Sequence, residues 1–138
     1  MTTTLKYGIE TRLDIPYEEA IEKVTAALKE EGFGILTEID VKATMKKKLD
    51  ADFRRYIILG ACNPQLAHRA LTAELDIGLL LPCNVVVYEA DDGSTVVAGM
   101  DPGIMVQVTD NPDLPAIATE ARERVERAIR SLGGSPGN

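Results

Sequence analysis

The sequence predicts an α+β two-layer sandwich, a mainly antiparallel or mixed sheet with helices on one face. Three observations point there. Stretches of period two alternate with stretches of period 3.6, in the order β-α-β-(α)-β-α-β-β-(β)-α. The later strands are joined by hairpin signals, above all the DDG at residues 91–93, and strand–helix–strand units are too few for a parallel sheet. A chain of 138 residues, 45% hydrophobic and 27% charged, suits one domain with one core. That domain is expected over residues 1–132, with 133–138 as a flexible tail.

Each element has a local reason. Leu5, Tyr7, Ile9, Thr11 and Leu13 alternate with Lys6, Gly8, Glu10 and Arg12, the pattern of a half-buried strand. Pro16 opens a helix whose stripe is Tyr17, Ile21, Val24 and Leu28, with Glu18 and Glu19 at the positive end of its dipole. Gly32 ends it as a left-handed cap, and Phe33 folds back on the last turn. Residues 34–39 read as a strand, and Asp40 caps a short helix over 41–49. Residues 53–61 form a strand that ends apolar on both sides and is therefore central. Asn63 caps the next helix and Pro64 occupies its first position. Strands over 77–81 and 84–90 follow, interrupted by Pro82, and 94–99 returns through the hairpin. Ile104, Val106 and Val108 suggest one more strand after the MDPG turn. The final helix runs from Pro112 or Pro115 to Leu132, on a stripe of Leu114, Ile117, Ala118, Ala121, Val125, Ala128, Ile129 and Leu132.

Charge and composition narrow the function. A net charge of −7 repels phosphate backbones and anionic lipid, so neither nucleic acid nor a membrane surface is an expected partner. Lys42, Lys46, Lys47, Lys48, Arg54 and Arg55 form a local basic patch, explained by a helix C-terminus and a strand entry. The N-terminal residues carry charges where a signal peptide has an apolar stretch, and no run is long enough to span a bilayer. A cytoplasmic setting is expected, with the two cysteines reduced. There is no glycine-rich phosphate loop, no serine nucleophile elbow, no HExxH and no calcium loop.

The candidate site is built on two short motifs, GACNP at 60–64 and LPCN at 81–84. Cys62 precedes a helix start, where free N–H groups and the dipole favour a thiolate. The plainer role is that of a small buried apolar side chain. Asn63 and Pro64 have a structural role as cap and first residue. Pro82 breaks the sheet, and Cys83 and Asn84 at that break are candidates to face a ligand. His68, the single histidine, sits on the flank of its helix. Glu74 falls on the helical wheel between Ala67, Ala70 and Leu71, which makes it a general-base candidate if buried. No closed metal site is predicted: Cys62, Cys83 and His68 fall short of four ligands, and only a soft-metal site completed by Met100 or Met105 is conceivable.

The blocks LGACNPQLAHRAL (59–71) and IGLLLPCNVVVYE (77–89), with PYEEAIEKVTAALKEEGFGILTEIDV (16–41) before them, resemble the domain-of-unknown-function 302 family. The resemblance spans about residues 5 to 132. It implies a TATA-binding-protein-like fold and a homodimer, with Gly60, Cys62, Asn63, Pro64, Leu81, Pro82, Cys83 and Asn84 at the family's shared positions. No activity comes with it. The leading expectation is a small binding module with a small-molecule ligand, its pocket or interface where the Cys62 helix start meets the Pro82–Asn84 break. Its ligand-contacting candidates are Cys62, Asn63, Pro64, Pro82, Cys83, Asn84, His68 and Glu74. One alternative is a thiolate enzyme of redox or acyl chemistry, using Cys62 or Cys83 with Glu74 or His68. The other is a soft-metal carrier. Cofactors stay unknown.

Overall fold

Residues 2–136 are described by a computed structural model of the chain. In chain order the elements are β1 (Thr3–Thr4), β2 (Gly8–Leu13), α1 (Tyr17–Glu30), β3 (Gly34–Asp40), α2 (Val41–Leu49), β4 (Tyr56–Cys62) and α3 (Pro64–Ala73). A 3₁₀ helix (Leu75–Leu80) comes next, then β5 (Cys83–Glu89), β6 (Thr95–Met100), α4 (Ile104–Gln107), α5 (Leu114–Arg130) and β7 (Ser135–Pro136). The strands form one antiparallel sheet in the order β1-β2-β6-β5-β4-β3, and β7 also pairs with β2. With every pairing antiparallel, the fold is the α+β sandwich that the hairpin signals imply.

The period-two rule sorts the sheet into two faces. Ile9, Gly99, Val85 and Leu59 lie in one register row, and Thr11, Val97, Val87 and Ile57 in the next. This face packs against α1 through Ala20, Val24 and Leu28, and against α5 through Val125, Ala128 and Ile129. The other face carries rows such as Glu10, Ala98, Val86, Ile58 and Ile39. Beside them Tyr56 and Tyr88 stack with ring centroids 5.3 Å apart. A second apolar cluster joins α3, the 3₁₀ helix and α4 to the front half of α5: Leu66, Ala70, Ile77, Met105, Leu114, Ile117 and Ala121. Helix α5 thus runs through both clusters, as its long stripe requires.

The helix ends follow the capping chemistry. The Asp40 side chain accepts from Ala43 N–H at 2.9 Å. Gly32 sits at φ +85° and Phe33 N–H reaches the Leu28 carbonyl at 2.9 Å, closing α1. Three members of the basic patch are ion-paired. Lys46 pairs with Asp50 at 2.9 Å, Arg54 with Asp91 at 2.9 Å, and Arg55 with Glu18.

Three expectations change. Residues 77–81 are not a strand: Leu75–Leu80 coils as a 3₁₀ helix, burying Ile77 while Leu75 and Leu79 stand 82% and 88% exposed. An apolar run without turn signals does not by itself separate strand from helix. Ile104–Gln107 is a short helix, because the Asp101 side chain accepts from Gly103 N–H at 2.8 Å and winds the chain there. The first strand is split by a turn in which Leu5 N–H bonds Gly8 O at 2.6 Å. This leaves Tyr7 63% exposed and buries Glu10 to 6%. Within the expected flexible tail, Ser135–Pro136 pairs with Thr11 and Arg12. Residues 137 and 138 lie outside the described residues.

The packing predicts a contrast between two leucines. Leu59 is fully buried on a central strand, so Leu59→Ala is expected to cost about 2–5 kcal/mol in chemical denaturation. Leu79→Ala removes an exposed side chain and is expected to change stability by less than about 0.5 kcal/mol.

Candidate functional site

The two clusters meet along a seam, and a narrow cleft lies in it. Its wall combines Phe33 and Ala61 from the sheet side with Leu66, Ala70, Met105 and Ile117 from the helical side, and Cys62, Asn63, Leu81, Pro82 and Cys83 close its sheet end. The cavity volume is about 30 Å³. That is room for a water or two, or for one compact apolar group, without movement of the walls.

Register explains how both motifs arrive here. Ala61 pairs with Cys83 across β4 and β5, and Cys62 ends β4 one step further on, opposite Gly34 of β3. Gly60 has its own reason to be glycine: a Cβ there would lie 2.1 Å from Thr37 Oγ1 and 2.9 Å from the Pro82 ring. The first motif therefore leaves space for the second. The Leu81–Pro82 peptide bond is cis.

Asn63 is almost fully buried and works in two directions. Its Oδ1 accepts from Leu66 N–H at 3.2 Å, capping α3. Its Nδ2 donates to the Glu31 carbonyl at 3.4 Å, at the end of α1. Arg124 Nη1 from α5 donates to the same carbonyl at 3.2 Å, and Arg127 holds the Glu31 carboxylate at 3.0 Å. Three helices are knotted at one residue beside the cleft.

Burial shapes both thiols. Cys83 is pushed up to about 11, first by burial and then by the neighbouring Cys62, and Cys62 is itself raised by burial. Both are free thiols, and at neutral pH both carry their protons.

The other sequence candidates lie elsewhere. Asn84 is exposed on the opposite sheet face from Cys83, since adjacent strand residues point to opposite sides. There it lines a shallow depression with Tyr7, Tyr56, Val86, Ala98 and Met100. His68 is exposed on α3, and Pro64 is exposed at its first turn. Glu74 is not on the helix at all: α3 ends at Ala73, and Glu74 is the partly exposed extended residue that follows it. The structure thus gathers Cys62, Asn63, Pro82 and Cys83, and leaves Pro64, His68, Glu74 and Asn84 outside. Met105, Phe33 and Ile117 were not expected at the site. They come from three separate stretches of the chain, and no local signal in the sequence joins them to the cysteine motifs.

The family model for the domain of unknown function DUF302 matches residues 9–132. The chain belongs to the DUF302 family. Among solved structures it is similar to the uncharacterized conserved protein DUF302 from Bacillus stearothermophilus, with 31% identity and a TM-score of 0.85. That match covers 93% of this chain and 99% of the other. No curated protein matches the chain. The family thus fixes the fold that carries the cleft and leaves its chemistry to be argued from the residues.

The raised thiols make a pH prediction. A group whose folded pKa lies above its unfolded value stabilises the fold fully below the unfolded value, and that contribution is lost as pH rises through the folded one. For Cys83 the window runs from about 9 to about 11. Stability measured by denaturant titration is expected to fall by about 2 kcal/mol across it, and Cys83→Ala is expected to flatten that fall.

Proposed function

We propose that the protein is a small homodimeric binding module whose ligand enters the seam cleft between Cys62 and Cys83. The observation that carries the reading is the cleft's composition. It is concave, almost wholly apolar, and lined by both cysteines, with a helix N-terminus at one end. Ligand sites commonly have this form, an apolar wall with a few placed polar groups. Its narrowness favours a compact or slender apolar group over a bulky one. The thiolate-enzyme reading is weaker: both thiols are raised, so neither is the activated nucleophile such chemistry needs at neutral pH. Neither His68 nor Glu74 lines the cleft to assist. The reading takes the setting to be cytoplasmic, where the thiols remain reduced. No described helix is long and apolar enough to cross a membrane.

The dimer is supported by the sheet face away from α1 and α5. Val86, Ala98, Met100 and Tyr56 surround Asn84 there, and its amide makes no hydrogen bond among the described residues. A two-fold axis through this face would place two such amides opposite each other, where each can donate to and accept from the other.

One experiment addresses both parts. Native mass spectrometry of protein purified gently from its own host is expected to show a dimer carrying a retained small molecule. Ala67→Leu narrows the cleft and is expected to reduce the ligand-bound fraction about tenfold or more. Val86→Arg on the open face is expected to yield monomers. Bare monomeric wild-type protein would contradict the proposal.

A further inference from the structure

Helix α2 has little to hold it on its own chain. None of its nine residues is buried, and its main contacts are with the edge strand β3 and with β4. A helix of this length is marginal in water without packing, since isolated helices need roughly 12–15 residues. Its sequence nevertheless carries an apolar stripe of Val41, Met45 and Leu49, and Leu49 stands 70% exposed. The segment that follows adds exposed Phe53, whose ring centroid lies 6.2 Å from that of Tyr56 on the open sheet face. No residue of α2 joins the apolar cluster under α1 and α5. The helix and its apolar stripe therefore border the face that no helix covers.

Charge supplies a complement on that same face. Residues 41–55 hold six basic and two acidic side chains, a local +4 in a chain of −7. Lys47 and Lys48 make no ion pair among the described residues. On the open face Glu10 is 6% exposed, and its carboxylate makes no hydrogen bond among the described residues. Its same-face neighbour Arg12 is engaged with Asp92 at 3.0 Å. A carboxylate taken from water without a partner is costly, and a cation brought by another chain relieves that cost. Register sets the two features at opposite ends of one row: Glu10, Ala98, Val86, Ile58 and Ile39. Ile39 then leads through Asp40 into α2. A two-fold axis along β5 through Val86 exchanges the two ends of this row between copies, as aligned sheets pack. It sets Val86 on Val86 and Asn84 by Asn84, and brings Ile39 and α2 to the side of Glu10.

We infer that α2 is a dimerisation arm: in a two-fold pair, α2 and Phe53 of each copy close over the β2 side of the other copy's open face, and the arm's lysines meet Glu10 there. This rests on the reading of the open face as the dimer interface and names the segment that completes it. The occupant is a second copy because one chain carries both halves, the basic apolar arm and the apolar face with its buried acid. Two chains of −7 repel each other in general, and contact is favoured where this basic segment meets acid.

Sedimentation velocity of the full chain tests the arm, and wild type is expected to be a dimer. Leu49→Asp changes a side chain that already faces water, so the fold is kept, and it is expected to weaken the dimer at least about tenfold. Glu10→Lys, and separately the pair Lys47→Glu with Lys48→Glu, are each expected to do the same, since every change counts twice in a symmetric dimer. Mixing these two charge-reversed proteins is expected to restore a heterodimer close to wild-type affinity, because each contact is then again between opposite charges. That rescue also shows both variants to be folded, and Leu49→Asp keeps the test decisive if Glu10→Lys does not fold. A wild-type dimer that Val86→Arg splits, but that Leu49→Asp and the lysine reversals leave intact, would overturn the arm and leave the dimer standing. Monomeric wild-type protein would remove both, including the case in which α2 then holds a different, acidic protein.

Discussion

The Glu31 carbonyl is the point on which the site depends. As the last turn of α1 closes, this carbonyl accepts from Asn63 at the start of α3 and from Arg124 in α5. One acceptor thereby fixes the end of one helix, the beginning of another and the middle of a third. Asn63 can serve it only because the same side chain also caps α3 through its oxygen. An amide can divide its donor and acceptor between two partners in this way, which a carboxylate or a hydroxyl would do less well. The cleft lies beside this point, where the two apolar clusters do not fully merge.

Seen from this knot, the two motifs have separate roles. In the first, Gly60 leaves room for Thr37 and Pro82, Asn63 ties three helices, and Pro64 starts α3. Four of its five residues, with buried Ala61, therefore have packing or capping explanations, and Cys62 does not. In the second, Pro82 packs above Gly60, while Cys83 and Asn84 face opposite sides of the sheet. The unexplained residues are then Cys62 and Cys83 in the cleft and Asn84 on the open face, which is where ligand and partner are proposed.

What was legible in the sequence was local. The caps at Asp40 and Asn63, the stop at Gly32, the hairpin at 91–93 and the stripe of α5 each follow from residues within a turn or two of one another. Cys83 and Asn84 point to opposite faces of β5, as the alternation of a strand requires, although the Pro82 break in the sequence suggests one shared site. Glu74 misled for the opposite reason. Its place on a helical wheel assumed that α3 continued, whereas the backbone turns extended at that residue. Met105, Phe33 and Ile117 were out of reach, since their meeting depends on how β3, α4 and α5 close around the seam.

The central claim is that the seam cleft beside Cys83 is an accessible binding space. A crystal structure of the protein soaked in a small inorganic mercury salt tests it most directly, because mercury marks accessible sulfur unambiguously. The account requires a mercury position inside the cleft on the Cys83 sulfur, with Met105 beside it. An empty cleft, with the Cys83 sulfur unmodified, would contradict it.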